Sequence, residues 1–242
     1  MGPPRRSRHQ SRYRARLEFG LIAAAAIFAT FWLGLVPPRF SPFAPVNLSE
    51  PDSWFLDFRL AALKRDAHQC HAALASPLID ATPIPDAAFE KGCGWRNAVR
   101  FSHAGGAHLG VDKISCEMAA ALTMWLTHEV QPAARQYLHS DVKSVQHMGV
   151  YACRNIIGKA SVAAFRSQHA RANAIDVDAF VITDGRTISV ARFWKGDGPE
   201  TKFLHAIKDR ACRYFRVALG PDYNAAHSNH FHLDRGAFRS CR

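Results

Sequence analysis

Ala174-Ile-Asp-Val-Asp-Ala-Phe-Val-Ile182, Thr183-Asp-Gly-Arg186 and Thr187-Ile-Ser-Val-Ala-Arg-Phe-Trp194 form the stretch whose reading decides the fold. The first nine residues have the β-branched, apolar content of a strand. Asp184-Gly185 is a strong hairpin signal, because tight two-residue turns need a positive φ that glycine supplies without steric cost. The reading predicts a strand over 174–182 returning over 187–194. It places the Asp176 carboxylate inside a sheet, where its desolvation calls for a metal, a cation or several hydrogen bonds. Asp178 shares that face by alternation and is the competing candidate.

A second segment, His227-Ser-Asn-His230-Phe-His232-Leu-Asp234, carries three histidines in six residues. Read as a short strand, its alternation sets His230 and His232 on one face and Phe231 and Leu233 on the other. Each neutral imidazole brings one donor and one acceptor that need partners, so burying the cluster is costly without a task. A zinc site takes about four imidazole, carboxylate or thiolate ligands, and a catalytic one leaves a position open. His169, Asp176 and His232 are the candidate ligands; a polar surface turn is the plainer reading of the histidine segment taken alone.

Outward from these segments, Ser53 to Lys64 and onward, Ser115 to Thr127 and Lys202 to Leu219 have helical apolar repeats, most simply core faces. Val142 to Tyr151 reads as a strand leading to Arg154. The order of elements predicts an α+β single domain with a small, mostly antiparallel sheet and helices packed around it. His128, His139, His147 and His205 have no partner spacing and read as structural. Trp54, Trp95, Trp125 and Trp194 fit a glycan groove or ordinary packing equally.

Residues 1–18 hold six arginines against one acid, Glu18, and an uncharged run follows from Phe19 to Val36. Eighteen residues at helical rise span about 27 Å, close to the hydrocarbon thickness of a bilayer. The arginines keep such an N-terminus cytoplasmic and send the rest across, here into the periplasm. A cleaved signal peptide is the rival, but Leu33-Gly-Leu-Val-Pro-Pro-Arg39 offers no small-x-small cleavage site. Arg5-Arg6 lacks the apolar followers of a twin-arginine signal. The chain therefore divides into a tail (1–18), an inner-membrane anchor (19–36), a proline-rich extended linker (37–50) and a domain (51–242).

Cys70, Cys93, Cys116, Cys153, Cys212 and Cys241 all lie beyond the anchor, and an even count in an exported domain points to disulfides. Cys70 with Cys93 is the nearest-neighbour pairing. No Cys-x-x-Cys spacing supports a thiolate zinc site. The tail contributes +5 of the +11 formal charge, and the remaining +6 suits an anionic envelope polymer such as peptidoglycan. No zinc finger, helix-turn-helix or stacked aromatic motif supports nucleic acid as the partner.

Gly149-Val-Tyr-Ala-Cys-Arg-Asn155, Ser167-Gln-His-Ala-Arg-Ala-Asn-Ala-Ile-Asp176, Ala211-Cys-Arg-Tyr-Phe215 and Leu219 through Asp234 resemble the bacterial extensin-like C-terminal domain family, in order from about Cys70 to Cys241. That family in turn resembles the zinc D-Ala-D-Ala carboxypeptidases, murein endopeptidases and hedgehog-type fold. The resemblance implies zinc on His169, Asp176 and His232, His230 as base or electrostatic stabiliser, and Arg154 facing a substrate carbonyl or carboxylate. Where the carboxypeptidases carry a glutamate three residues before the last ligand, this chain has Asn229, which cannot accept a proton. His-x-x-His-x-His is closer to the endopeptidase branch, where histidine does the acid–base work and His227 could share it. The implied function is a membrane-anchored periplasmic zinc peptidase acting on peptidoglycan stem peptides or cross-links. The alternative is a non-catalytic cell-wall or envelope-binding domain of the same fold.

Overall fold

The computed structural model describes residues 8–51, 53–158 and 160–242, so Arg5-Arg6 and the start of the tail lie outside the described residues. Helix α1 (Arg8–Trp32) is followed by α2 (Leu56–Leu63) and α3 (Ala67–Leu74). Strands β1 (Ile79–Ile84), β2 (Ala87–Glu90), β3 (Cys93–Trp95), β4 (Ala98–Ala104) and β5 (Ala107–Ser115) come next. Then come α4 (Cys116–Trp125), α5 (Gln131–Leu138), β6 (Val142–Gly149), β7 (Ala174–Ile182), β8 (Thr187–Ser189) and α6 (Val190–Phe193). The chain closes with α7 (Pro199–Ala211), β9 (Val217–Leu219), β10 (Phe231–Asp234) and β11 (Ser240–Cys241).

The result is an α+β fold. Its main sheet has nine strands, in the order β1-β4-β5-β6-β7-β10-β9-β11 with β8 also on β7; β2 and β3 form a separate hairpin. The sheet is larger than the sequence suggests, because strands as short as three residues, β8 and β9, do not register as periodic patterns. It is mostly antiparallel; β5 with β6 and β9 with β11 are the parallel pairs.

The Asp184-Gly185 turn forms as expected, with Gly185 at φ 89° and the Asp184 carboxylate accepting from the Arg186 backbone N–H at 2.8 Å. The return strand is shorter than 187–194. It stops at Ser189 and gives way to α6, because Val190 and Trp194, both buried, are one helical turn apart. Likewise, the helix expected over 202–219 ends at Ala211, since Val217, Ala218 and Leu219 are needed as a buried strand between β10 and β11.

The core is built on α4, whose ten residues are all buried. Apart from Glu117 and Thr123 the helix is apolar all round, and such a helix belongs in an interior. Ser115 caps its N-terminus by accepting from the Met118 N–H at 3.3 Å. At its far end Trp125 packs on Phe180 and Phe215 and donates its indole N–H to the Ile207 carbonyl at 2.9 Å. Trp125 and Trp194 are therefore core residues, and His205 stacks on Trp194 at 4.0 Å.

α1 holds a stretch, Arg12–Trp32, long and apolar enough to cross a membrane. The helix ends four residues before Val36, where Gly34 takes φ 68° and its neighbours bond back to Ala29 and Thr30. The segment after it is not simply an extended spacer: Pro38–Phe40 forms a 3-10 turn, and Val46 and Leu48 are buried in the core. The disulfides are Cys70–Cys116, Cys93–Cys153 and Cys212–Cys241, so the Cys70–Cys93 pairing is wrong. Cys70 faces the start of α4, whereas Cys93 in the β2–β3 hairpin pins the loop that precedes Arg154; closeness in sequence says nothing about these contacts.

Candidate metal centre

β7 and β10 pair antiparallel with Asp176 opposite His232 and Ala174 opposite Asp234. Directly paired residues share a face, so one side of this two-strand step collects Asp176, His232 and Asp234. β7 also has to feed Phe180 and Ile182 into the core, which strict alternation from Asp176 would not allow for Ile175 and Val177 as well. The conflict is resolved by a bulge: β6 pairs Gln146 with Ala179 but His147 with Val177, leaving Asp178 unopposed. Asp178 is thereby set aside from the ligand cluster, which consists of His169, Asp176 and His232. It acts on His230 through its charge.

His169 comes from the 3-10 turn Gln168–Arg171, capped by Ser167, whose hydroxyl accepts from the His169 backbone N–H at 3.3 Å. The three ligand atoms lie within 4.8 Å of one another. His169 Nε2 is 3.2 Å from Asp176 Oδ1 and 3.3 Å from His232 Nδ1, and His232 Nδ1 is 2.9 Å from the same Oδ1. The opposite nitrogen of each ring is held by an oxygen: His169 Nδ1 donates to the Val150 carbonyl at 2.9 Å, and His232 Nε2 donates to Asp234 Oδ2 at 3.0 Å. Such outer hydrogen bonds fix the tautomer that turns a lone pair toward a cation. With its second oxygen, Asp234 accepts from the Gly236 N–H at 2.7 Å.

His230 is buried, and its Nε2 is 3.5 Å from Asp176 Oδ1. Its Nδ1 donates to Asn229 Oδ1 at 2.9 Å. His227, on the 3-10 turn Ala225–His227, points inward, with its ring 5.2 Å from that of His230 and its Nδ1 donating to Asn224 Oδ1 at 2.7 Å. Arg154 reaches the site from the disulfide-pinned loop, its guanidinium 3.9 Å from Asp176 Oδ2. All six residues singled out in the sequence thus meet at one place.

Electrostatics follow from this packing. Burial raises the Asp176 pKa, but a proton on the inner nitrogen of His169 or His232, donated to its carboxylate, outweighs burial and leaves it ionised far below its usual range; a bound cation would take the place of those protons. Burial lowers that of His232, yet its two carboxylate partners push it up to about 9. His227 falls to about 4 through burial and the neighbouring charges of His232 and His230. His230 also falls, through burial first, with Asp176 opposing. Two acids and a cluster of imidazoles therefore share a site in which His230 and His227 stay neutral near pH 7.

The cluster opens into a cleft of about 540 Å³ that also contains Arg166, Arg239 and Arg242 and apolar Ile157, Leu219 and Phe238. Sequence reading missed these arginines, which are dispersed along the chain. It also missed Asp234, Asn229 and Asn224 as partners of the rings. Asp234 was legible, since His230-x-His232-x-Asp234 continues a single alternation.

Fold and site together define an α+β domain with a His/Asp/His cluster of metal-ligating type on the floor of a cationic cleft. The chain belongs to the family described as Extensin-like protein C-terminus, whose match covers residues 68–242. No curated protein and no solved structure matches it.

Proposed function

We propose that this chain is a zinc-dependent hydrolase anchored in the inner membrane by α1, with its domain in the periplasm, that cleaves amide bonds in peptidoglycan stem peptides or cross-links. The observation that carries the reading is the pair of outer hydrogen bonds, His169 Nδ1 to the Val150 carbonyl and His232 Nε2 to Asp234, beside an ionised Asp176. Two imidazoles and a carboxylate fit zinc in number and donor type, with a position left for water. When bound, zinc supplies Lewis acidity and acidifies water near neutral pH.

The chain's own residues do the rest. His230, neutral and with Nε2 unprotonated because Nδ1 donates to Asn229, accepts a proton and returns it to the leaving amine. Asn229 cannot take that proton itself, which makes His230 the base. Arg154, half-exposed at the cleft edge, faces a carbonyl oxygen or carboxylate of the substrate as negative charge develops. The cationic lining suits a substrate bearing carboxylates.

The experiment is zinc stoichiometry by elemental mass spectrometry on the full chain in detergent, purified without chelators, followed by muropeptide digestion. One zinc per chain is expected, lost in folded His169→Ala, Asp176→Ala and His232→Ala. His230→Ala keeps the metal and loses hydrolysis. A folded wild type that refuses added zinc sinks the proposal. Asn229 in place of a carboxylate base favours one second reading, an envelope-binding domain without catalysis; full zinc with no cleavage of any muropeptide would establish it.

A further inference from the structure

A second cavity, of about 590 Å³, shares no lining residue with the cleft, yet it meets the same 3-10 turn through Arg171. Its cations come from three segments: Lys64 caps α2 with Arg65 directly after it, Arg96 follows β3 and Arg171 closes the turn that carries His169. Asp86 is the one carboxylate of the lining, and its Oδ1 is occupied by the Asn97 backbone N–H at 2.7 Å. Among the described residues, none of the four cations forms an ion pair. Glu117, the acid whose charge Lys64 feels, is bonded to Arg235 at 2.7 Å.

Four cations around one concavity, against a single carboxylate, raise the local positive potential and favour the entry of an anion. Burial pulls the Lys64 pKa down, and the charges of Arg171, Arg216 and Arg65 pull it further, against Glu117. Arg96 is braced, its guanidinium 5.8 Å from the Phe89 ring centre.

We propose that this cavity binds a phosphate group, either free or carried on a phospholipid headgroup. Guanidinium forks match the oxygens of phosphate in pairs, and a lysine adds a point charge. Free phosphate as a dianion offsets more of the net positive lining than a single carboxylate does, and the phosphodiester of a headgroup, with one charge, still offers guanidinium forks a pair of oxygens. The volume admits a group somewhat larger than phosphate itself, within the range of ordinary ligand sites. The site is independent of the metal reading, since no residue of the His/Asp/His cluster lines it.

The test is calorimetric titration of the full chain in zwitterionic micelles with inorganic phosphate, after dialysis against a chelator so that no ion in the cleft competes. Saturable binding is expected at one site. Arg96→Ala/Arg171→Ala should weaken it at least about tenfold, the loss of charge-assisted hydrogen bonds. Both residues are exposed, and Arg65→Ala, also exposed, provides a second variant with the same expected direction. Lys143→Ala, which removes an exposed charge on β6, should change nothing. In nanodiscs, phosphatidylglycerol suppresses phosphate binding if a headgroup is the occupant and leaves it intact if the occupant is a free phosphate. No saturable binding, acetate binding as tightly as phosphate, or equal weakening by Lys143→Ala overturns the proposal.

Discussion

Asp234 and Asn229 touch no candidate ligand atom directed at a metal, yet each holds the far nitrogen of a histidine ring. For Asp234→Asn we expect zinc affinity to fall by about 10- to 100-fold, the usual effect of losing an outer-shell carboxylate. Competition against a fluorescent chelator reads this directly, and an unchanged affinity would remove Asp234 from the site. For Asn229→Ala we expect kcat to drop roughly tenfold at constant zinc content, because a mis-turned His230 loses part of its general-base contribution. Asn229→Asp keeps the acceptor oxygen and should recover most of the rate, with a shifted pH profile; a purely structural role would give no such recovery. His169, Asp176 and His232 were readable because their residue types are costly without a task. The asparagines were not, since an amide acceptor in a turn looks like any other turn residue.

At the scale of elements, what positions the site is irregularity. The bulge at Asp178 lets one strand present Asp176 to the cleft and Phe180 to the core, and no periodic reading of Ala174 to Ile182 contains that switch. The hairpin signal survived because Asp-Gly acts locally, whereas the length of β8 depended on Trp194 finding the core. The residue that leaves β10 makes a buried tertiary tie to two helices. Arg235, fully buried, donates to Glu117 on α4 at 2.7 Å and to Asp57 on α2 at 2.9 Å. Burial pushes the Glu117 carboxyl up and Arg235 pulls it back. Arg235→Met should therefore cost about 3–5 kcal/mol, because it strands a buried acid. Pairing it with Glu117→Leu should return much of that loss in urea melts, and additive losses would deny the coupling.

At the scale of the molecule, the site depends on segments far apart in sequence that are tied at their ends. The fold class could be read from the order of strands and helices, but disulfide partners could not, because six cysteines allow 15 connectivities until the fold brings them together. Nor does the packed unit start where the family match starts: Leu56, Leu60 and Leu63 are in the core, upstream of residue 68. Asp57 is the charge that joins this early helix to the C-terminal segment. It accepts from Arg216 at 3.1 Å and Arg235 at 2.9 Å and pairs with Arg239 at 3.0 Å. Burial raises its pKa, but the Arg216 hydrogen bond, the Arg235 charge and the Arg239 hydrogen bond prevail and bring it from 3.8 to about 2. A carboxylate whose pKa is depressed by folding adds stability that is complete above its unfolded value and disappears as pH falls through the folded one. The Asp57 contribution is thus full above about pH 4 and lost toward pH 2. Thermal melts of the full chain should show Tm falling over that window more steeply in wild type than in Asp57→Asn, whose Tm near pH 7 is already lower. Parallel acid limbs for the two proteins would mean that Asp57 is solvated and that the helix is held by its leucines alone.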